Sequence, residues 1–262
     1  QGHLTALAVT ASSYSSGEHV TVYGAAQAVP PWVRSQRKAA RDRITHEHLL
    51  ASSAIPFVFP AKGITIDGHT EYFGDGSMRQ SAPIAAAIHL GAERVLVIGA
   101  GRMHEPRGDS AAPPSPSYPS LAQIAGHALS NIFLDALSVD VERVQRINQT
   151  LSLIPEEKRT HSALRPVELL VIAPSQRLDA IAARHVGDLP GPVRTMLGAL
   201  GVTSNMADVR GAALASYLLF EQGYTQELMA LGRADTLARR ADVCRFFGWK
   251  DTGAALRTRL PT

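Results

Sequence analysis

The sequence predicts an α/β fold, and three observations carry that expectation. A segment suited to a helix, Pro83 to Leu90, is followed after Gly91 by the apolar run Arg94-Val95-Leu96-Val97-Ile98-Gly99-Ala100. Helix followed by apolar strand is the repeating unit of a parallel α/β layer. A second such run, Pro166-Val167-Glu168-Leu169-Leu170-Val171-Ile172-Ala173, reads as another central strand. Upstream, Asp67-Gly68 separates Ile64-Thr65-Ile66 from the segment ending at Phe73. Asp-Gly suits the positive φ angles of a two-residue hairpin turn, so two paired strands are expected there.

The remaining elements follow from pattern and punctuation. Leu4 to Val9 is mostly apolar with little alternation, as in a strand covered on both faces. Ser-Ser-Tyr-Ser-Ser-Gly then turns the chain, and His19 to Tyr23 reads as the returning strand. Beyond Pro30-Pro31, a helix is expected from about Ser35 to Ser53, basic in its first half through Arg37, Lys38, Arg41 and Arg43, and ending before Pro56. Pro83 suits the first turn of the helix that closes near Leu90-Gly91. Glu105 to Ser120 is rich in Pro, Ser and Ala and reads as a mobile surface loop. Ile124, Leu129, Ile132, Phe133, Leu137, Val141, Val144 and Ile147 recur at helical spacing within a long helix from about Leu121 to Thr150. From Ala173 to about Phe247 the chain is expected to be helical, with breaks at Pro190-Gly191-Pro192 and at Gly223, and Phe246, Phe247 and Trp249 read as core.

Composition excludes several function classes. A chain of 262 residues with 45% hydrophobic content can bury a core. The 26 basic residues against 23 acidic ones leave too small an excess for a basic surface, so no nucleic-acid partner is expected. Cys244 is the single cysteine, which rules out an internal disulfide or a four-cysteine zinc site. A reducing, cytoplasmic setting is the expectation. No apolar run is long enough to span a bilayer, and the N-terminus lacks a leader pattern. Because an apolar strand begins within a few residues of Gln1, an upstream segment is expected.

The chemistry concentrates in one stretch. Ala51-Ser52-Ser53-Ala54-Ile55-Pro56 leads to Phe59-Pro60, then to Phe73-Gly74-Asp75-Gly76-Ser77, then to the helix and the strand Val95-Leu96-Val97-Ile98. An Asp between two glycines is a carboxylate that the backbone can bring close to another group. In order and spacing, from roughly Leu4 to Ala100, these segments resemble the C-terminal half of the patatin-like phospholipases. That resemblance implies a three-layer α/β/α sheet and a lipid acyl hydrolase working through a Ser-Asp dyad, with Asp75 as the base. It implies no metal or organic cofactor. On this reading 1–104 is the C-terminal part of the catalytic domain, 105–120 the loop, and 121–262 helices and one strand that complete and cover the same domain.

The sequence departs from that family twice. Ser77 stands where the family has Gly or Ala, and no Gly-x-Ser-x-Gly elbow or glycine-rich oxyanion turn exists in the 262 residues. The N-terminal strands and the nucleophile are therefore expected on a separate segment, and this chain alone is expected to be inactive. The expected partners are a lipid or phospholipid acyl ester, that separate segment, and a membrane surface touched peripherally. The rival expectation is a non-catalytic relic or lipid-binding module that keeps the fold.

Other candidates reduce to structure. Ser52 and Ser53 terminate a helix, and Ser77 is expected to point its side chain away from Asp75. His46 and His48 lie two apart and so face different ways on a helix, unlike zinc ligands spaced by four. Gly99-Ala100-Gly101 lacks the third glycine of a dinucleotide fingerprint, and Arg107-Gly108-Asp109 is an adhesion tripeptide by coincidence. Arg34, Arg37, Lys38, Arg41 and Arg43 read as a solvated helix face rather than a lipid headgroup site.

Overall fold

Alternating apolar and polar residues in the first third of the chain build a six-stranded mixed sheet. The computed structural model describes residues 2–56, 58–101, 121–159, 162, 164–199 and 215–251, without the side chains of 121–123, 125–135 and 199. The architecture is mixed α/β, and the chain divides into two compact units, Gln1–Glu93 with Ala128–Val167, and Arg94–His127 with Glu168–Thr262.

In the first unit, β1 (Ala6–Ser13) and β2 (His19–Ala25) pair antiparallel, with Ala11 opposite Val20 and Ser12 opposite His19. β3 (Val33–Arg34) and β4 (Arg37–Arg41) form a short hairpin, and β4 runs parallel to β2. β5 (Lys62–Ile66) and β6 (His69–Asp75) form the second hairpin, and β6 pairs antiparallel with β1. The strand order is β3-β4-β2-β1-β6-β5. Asp67 and Gly68, at φ 52° and 81°, make the turn that their sequence predicts.

Period-two alternation gives the sheet two different faces. Ala11, Val20, Val22, Ile64, Ile66 and Phe73 form the apolar face, closed by Ala51 of α1 (His46–Ser52), with Ala40 and Ile44 packed against it. The opposite face of β1 and β2 carries Thr10, Ser12, His19, Thr21 and Tyr23, and Ala82, Ala85, Ala86 and His89 line a small cavity with two of these, His19 and Thr21. His89 and Ala85 belong to α2 (Ala85–His89). Of α3 (Leu121–Ser152), the first unit contains the part from Ala128 onward. There Val141, Val144 and Leu151 are buried, and the Asp140 carboxylate accepts from the Ile84 amide at 3.0 Å, holding the start of α2. Asn148 donates to the Val167 carbonyl (2.7 Å) and accepts from its amide (3.0 Å). A short α4 (Glu156–Arg159) follows.

The second unit contains β7 (Arg94–Ile98) parallel to β8 (Glu168–Ile172), with Val95 opposite Leu169. Helices among its described residues include α5 (Leu178–His185), α6 (Gly191–Ala199), α7 (Gln222–Ala238) and α8 (Arg240–Phe247). Arg94 lies over the Phe246 ring, 5.7 Å from its centroid, and donates to the Phe246 carbonyl.

Several sequence expectations are corrected here. No helix spans Ser35 to Ser53: Gln36 takes a left-handed φ of 58°, β3 and β4 fold back on each other, and only His46–Ser52 is helical. Arg37, Lys38 and Arg41 have good helix propensity, but parallel pairing with β2 overrides it and buries Ala39. The strand predicted from Leu4 starts at Ala6 and is buried at its other end, since Leu4 is 68% exposed while Ala11, Ser12 and Ser13 are buried. Neither β7 nor β8 is a buried central strand among the described residues, and Ile98 is 78% exposed. Gly223 lies inside the first turn of α7 rather than breaking it, and its lack of a side chain leaves room for the His185 ring, which a Cβ would meet at 3.2 Å. Phe246 is core, but Phe247 and Trp249 stack on each other at the surface, with centroids 4.6 Å apart. The loop from Glu105 to Ser120, with Arg107-Gly108-Asp109, lies outside the described residues.

Phe73 is 1% exposed within the apolar face. Phe73→Ala is expected to cost about 3–5 kcal/mol, read as a lower urea midpoint with an unchanged m-value.

Candidate functional site

β6 delivers its last residue, Asp75, to the point where the strand becomes a 3₁₀ turn, Gly76–Arg79. The strand ends there because the Asp75 carboxylate caps that turn, its Oδ1 accepting from the Ser77 amide at 2.8 Å. The Asp75 amide donates to the Ala54 carbonyl at 3.0 Å, so main chain and side chain are both held. Opposite Asp75 on β1 is Ala11, and the residue is 8% exposed.

Both flanking glycines sit at close approaches. A Cβ on Gly74 would lie 2.5 Å from the Tyr14 hydroxyl oxygen and 2.8 Å from its ring. On Gly76 it would lie 2.4 Å from both the carbonyl and the hydroxyl oxygen of Thr10. At Gly76 the obstacle is the Thr10 main chain, which cannot move aside, so glycine is required there; at Gly74 a side chain would have to displace the exposed Tyr14 ring. Ser12 adds a bond across the same join, its hydroxyl donating to the Gly76 carbonyl at 3.3 Å.

Burial sets the electrostatics. It pushes the Asp75 carboxyl above the ordinary Asp range, and the Ser77 amide and hydroxyl offset only part of that rise. Tyr14 is also pushed up, by burial first and by the Asp75 charge second. On the polar face of β2, burial pulls His19 down to about 4, with the Gly76 carbonyl opposing and the Arg37 charge assisting. This imidazole is neutral at physiological pH, and its Nδ1 has no hydrogen-bond partner among the described residues.

Ser77, whose amide holds the carboxylate, lines an open cleft of about 710 Å³ in the first unit. Ser12, Tyr14, Arg37, Arg79 and Gln80 also line it. The arrangement is a desolvated, fixed carboxylate next to a polar cleft, which is the chemistry of a general base for a hydroxyl. No group of three His, Cys, Asp or Glu side chains among the described residues is placed to hold a metal ion.

Asp75 is thus where the sequence placed it, at a strand end before a turn. Ser77 meets Asp75 through its main chain, the amide donating to the carboxylate. Ser52 and Ser53 close α1 as expected, the Ser53 hydroxyl donating to the Leu49 carbonyl at 3.0 Å. His46 pairs with Glu47 at the surface, while His48 is buried and accepts from the Thr45 amide at 3.1 Å, so the two do face different ways. Sequence reasoning missed Ser12, Tyr14, His19 and Arg79. Their only signal was position beside a strand end, which points to Asp75 only once β1 is known to pair with β6.

No family model matches the chain, and no curated protein matches it either.

Two outcomes follow. Gly76→Ala forces Cβ against Thr10 and is expected to destabilise by about 1–3 kcal/mol in urea melts, whereas Gly232→Ala, in open space on α7, is expected to stabilise by about 0.5–1 kcal/mol. His19 binds its proton more weakly folded than unfolded, with 6.5 depressed to about 4, so between those values the unfolded state holds more protons and stability falls as pH falls. The expected loss is roughly 2–3 kcal/mol from about pH 7 to pH 4.5, compared by urea midpoints with His19→Asn, which should lack that part of the slope.

Proposed function

We propose that this chain is the carboxylate-bearing part of a patatin-like lipid acyl hydrolase, with Asp75 as the base of a Ser-Asp dyad and the nucleophilic serine on a segment outside these 262 residues. The observation that carries the proposal is the fixed, buried carboxyl of Asp75, followed by a glycine that cannot bear a side chain and raised above the ordinary Asp range. A carboxylate shifted toward the working pH is a better acceptor for a hydroxyl proton. The order of motifs from Ala51 to Ile98 supports the family, as does a sheet with α1 against one face and Ala82 to His89 beside the other, which suits a three-layer α/β/α fold.

In the reaction the serine hydroxyl gives its proton to Asp75 as its oxygen attacks the ester carbonyl. Asp75 returns that proton to the departing alcohol as the acyl-serine forms. Water then gives its proton to Asp75 as its oxygen attacks the acyl-serine carbonyl, and Asp75 returns that proton to the departing serine oxygen as the fatty acid is released. No metal or organic cofactor enters these steps. Cys244 as the lone cysteine favours a cytoplasmic setting, with membrane contact at the surface only; no helix among the described residues is long and apolar enough to cross a membrane.

In the protein completed with the coding sequence upstream of Gln1, Asp75→Asn is expected to lower kcat for a fatty acyl ester by about 10²–10⁴-fold with an unchanged circular-dichroism spectrum. Retained turnover removes Asp75 from its role. The 262-residue chain alone should resist a fluorophosphonate probe, and labelling abolished by Ser77→Ala would instead put the nucleophile beside Asp75. If the completed protein hydrolyses no acyl ester, the chain is a non-catalytic interaction module.

A further inference from the structure

The cleft beside Asp75 carries more positive charge than the fold uses. Arg37, on β4, and Arg79, at the end of the 3₁₀ turn, both line it, and no acidic residue does so among the described residues. Several arginines elsewhere are paired: Arg177 with Asp179, Arg184 with Glu227, and Arg245 with Asp242. The guanidinium groups of Arg37 and Arg79 make no hydrogen bond or ion pair with any described residue.

The acids that might have neutralised them are committed. Asp75 is held by the Ser77 amide, and Glu71 accepts from the Ser13 and Ser16 hydroxyls and sits 3.8 Å from Lys38. Asp140 feels the Arg37 charge, but its oxygens are taken by the Ile84 amide and by Arg143 at 3.2 Å. The field of Arg37 is correspondingly open, and it reaches both His19 and His89, depressing each after burial has done so. A guanidinium presents a planar fork of donors that matches the oxygens of a tetrahedral anion. Two such forks, with Gln36, Gln80 and Ser81 lining the same cleft, supply donors for several oxygens. At about 710 Å³ the cleft holds a phosphate together with its ester substituent, far more than a bare carboxylate needs.

We propose that this cleft is a binding site for a phosphate ester, gripped by Arg37 and Arg79. The site deepens the acyl-hydrolase reading and rests on it only in making the ester the head of a lipid substrate, positioned by its phosphate next to the base.

The test is titration of the 262-residue chain with glycerol 3-phosphate, in parallel with flotation on phosphatidylcholine vesicles with and without phosphatidate. Saturable binding in either arm, weakened at least about tenfold by Arg37→Ala and by Arg79→Ala but not by Arg43→Ala, supports the site and tells a soluble from a lipid source. Arg43 is an exposed residue outside the cleft and controls for net charge, while Arg79 is exposed enough for its removal to leave folding intact. Absence of saturation in both arms up to about 10 mM, equal loss with Arg43→Ala, or equal competition by succinate overturns it. Asp75→Asn is expected to retain glycerol 3-phosphate binding. A completed enzyme that cleaves p-nitrophenyl butyrate yet binds no phosphate ester overturns this site alone. Binding without any ester hydrolysis supports the site and leaves the catalytic reading as the one that fails.

Discussion

Everything distinctive about this molecule depends on how closely β6 can lie against β1 at one place. The Thr10 main chain occupies the space where a side chain at position 76 would be, so only hydrogen there permits the pairing, and the Tyr14 ring lies against Gly74. The join carries Ala11 opposite Asp75, the bond from Ser12 to the Gly76 carbonyl, and His19 beneath the turn. It also seats Phe73 in the apolar face, so the same few residues close the core and aim the carboxylate. Loosening the join would disturb packing and electrostatics together, which separates this Asp from one in an ordinary surface turn.

Two physical accounts of Asp75 coexist without conflict. As a cap it satisfies the Ser77 amide at the start of a 3₁₀ turn, a role that any Asp at a strand end can fill. The proposed role of base asks that it resist ionisation somewhat, which burial provides and which the cap partly opposes. The cap fixes where the carboxyl points, and burial sets how readily it takes a proton. The cleft lined by Ser77 then supplies a place from which a substrate could meet it, and Arg37 and Arg79 give that place its charge.

Local signals were legible wherever the chain decides its own conformation. Asp67-Gly68 marked its turn, Ser52-Ser53 before Pro56 marked the end of α1, and the apolar spacing from Leu121 marked α3, while Pro83 fell just outside the first turn of α2, which begins at Ala85 after the Ile84 cap. The reading failed where a distant strand decides. Arg37 to Arg41 has the propensity of a helix and becomes a strand because β2 offers a parallel edge, and a left-handed Gln36 carries no marker in the letters. Apolar runs such as Arg94 to Ile98 disclosed strand character but not how much of it would be covered.

By itself, then, the sequence determined the α/β class, the hairpin at Asp67-Gly68, and an Asp flanked by glycines at a strand end, because turn chemistry, side-chain period and glycine's conformational range are properties of neighbouring residues. Only the tertiary structure decided that Gly74 and Gly76 face Tyr14 and Thr10, that the Ser77 amide meets Asp75, and that Arg37 and Arg79 share one cleft. Those facts depend on strand order and register, which pair residues more than sixty positions apart, and on the burial that follows from that pairing.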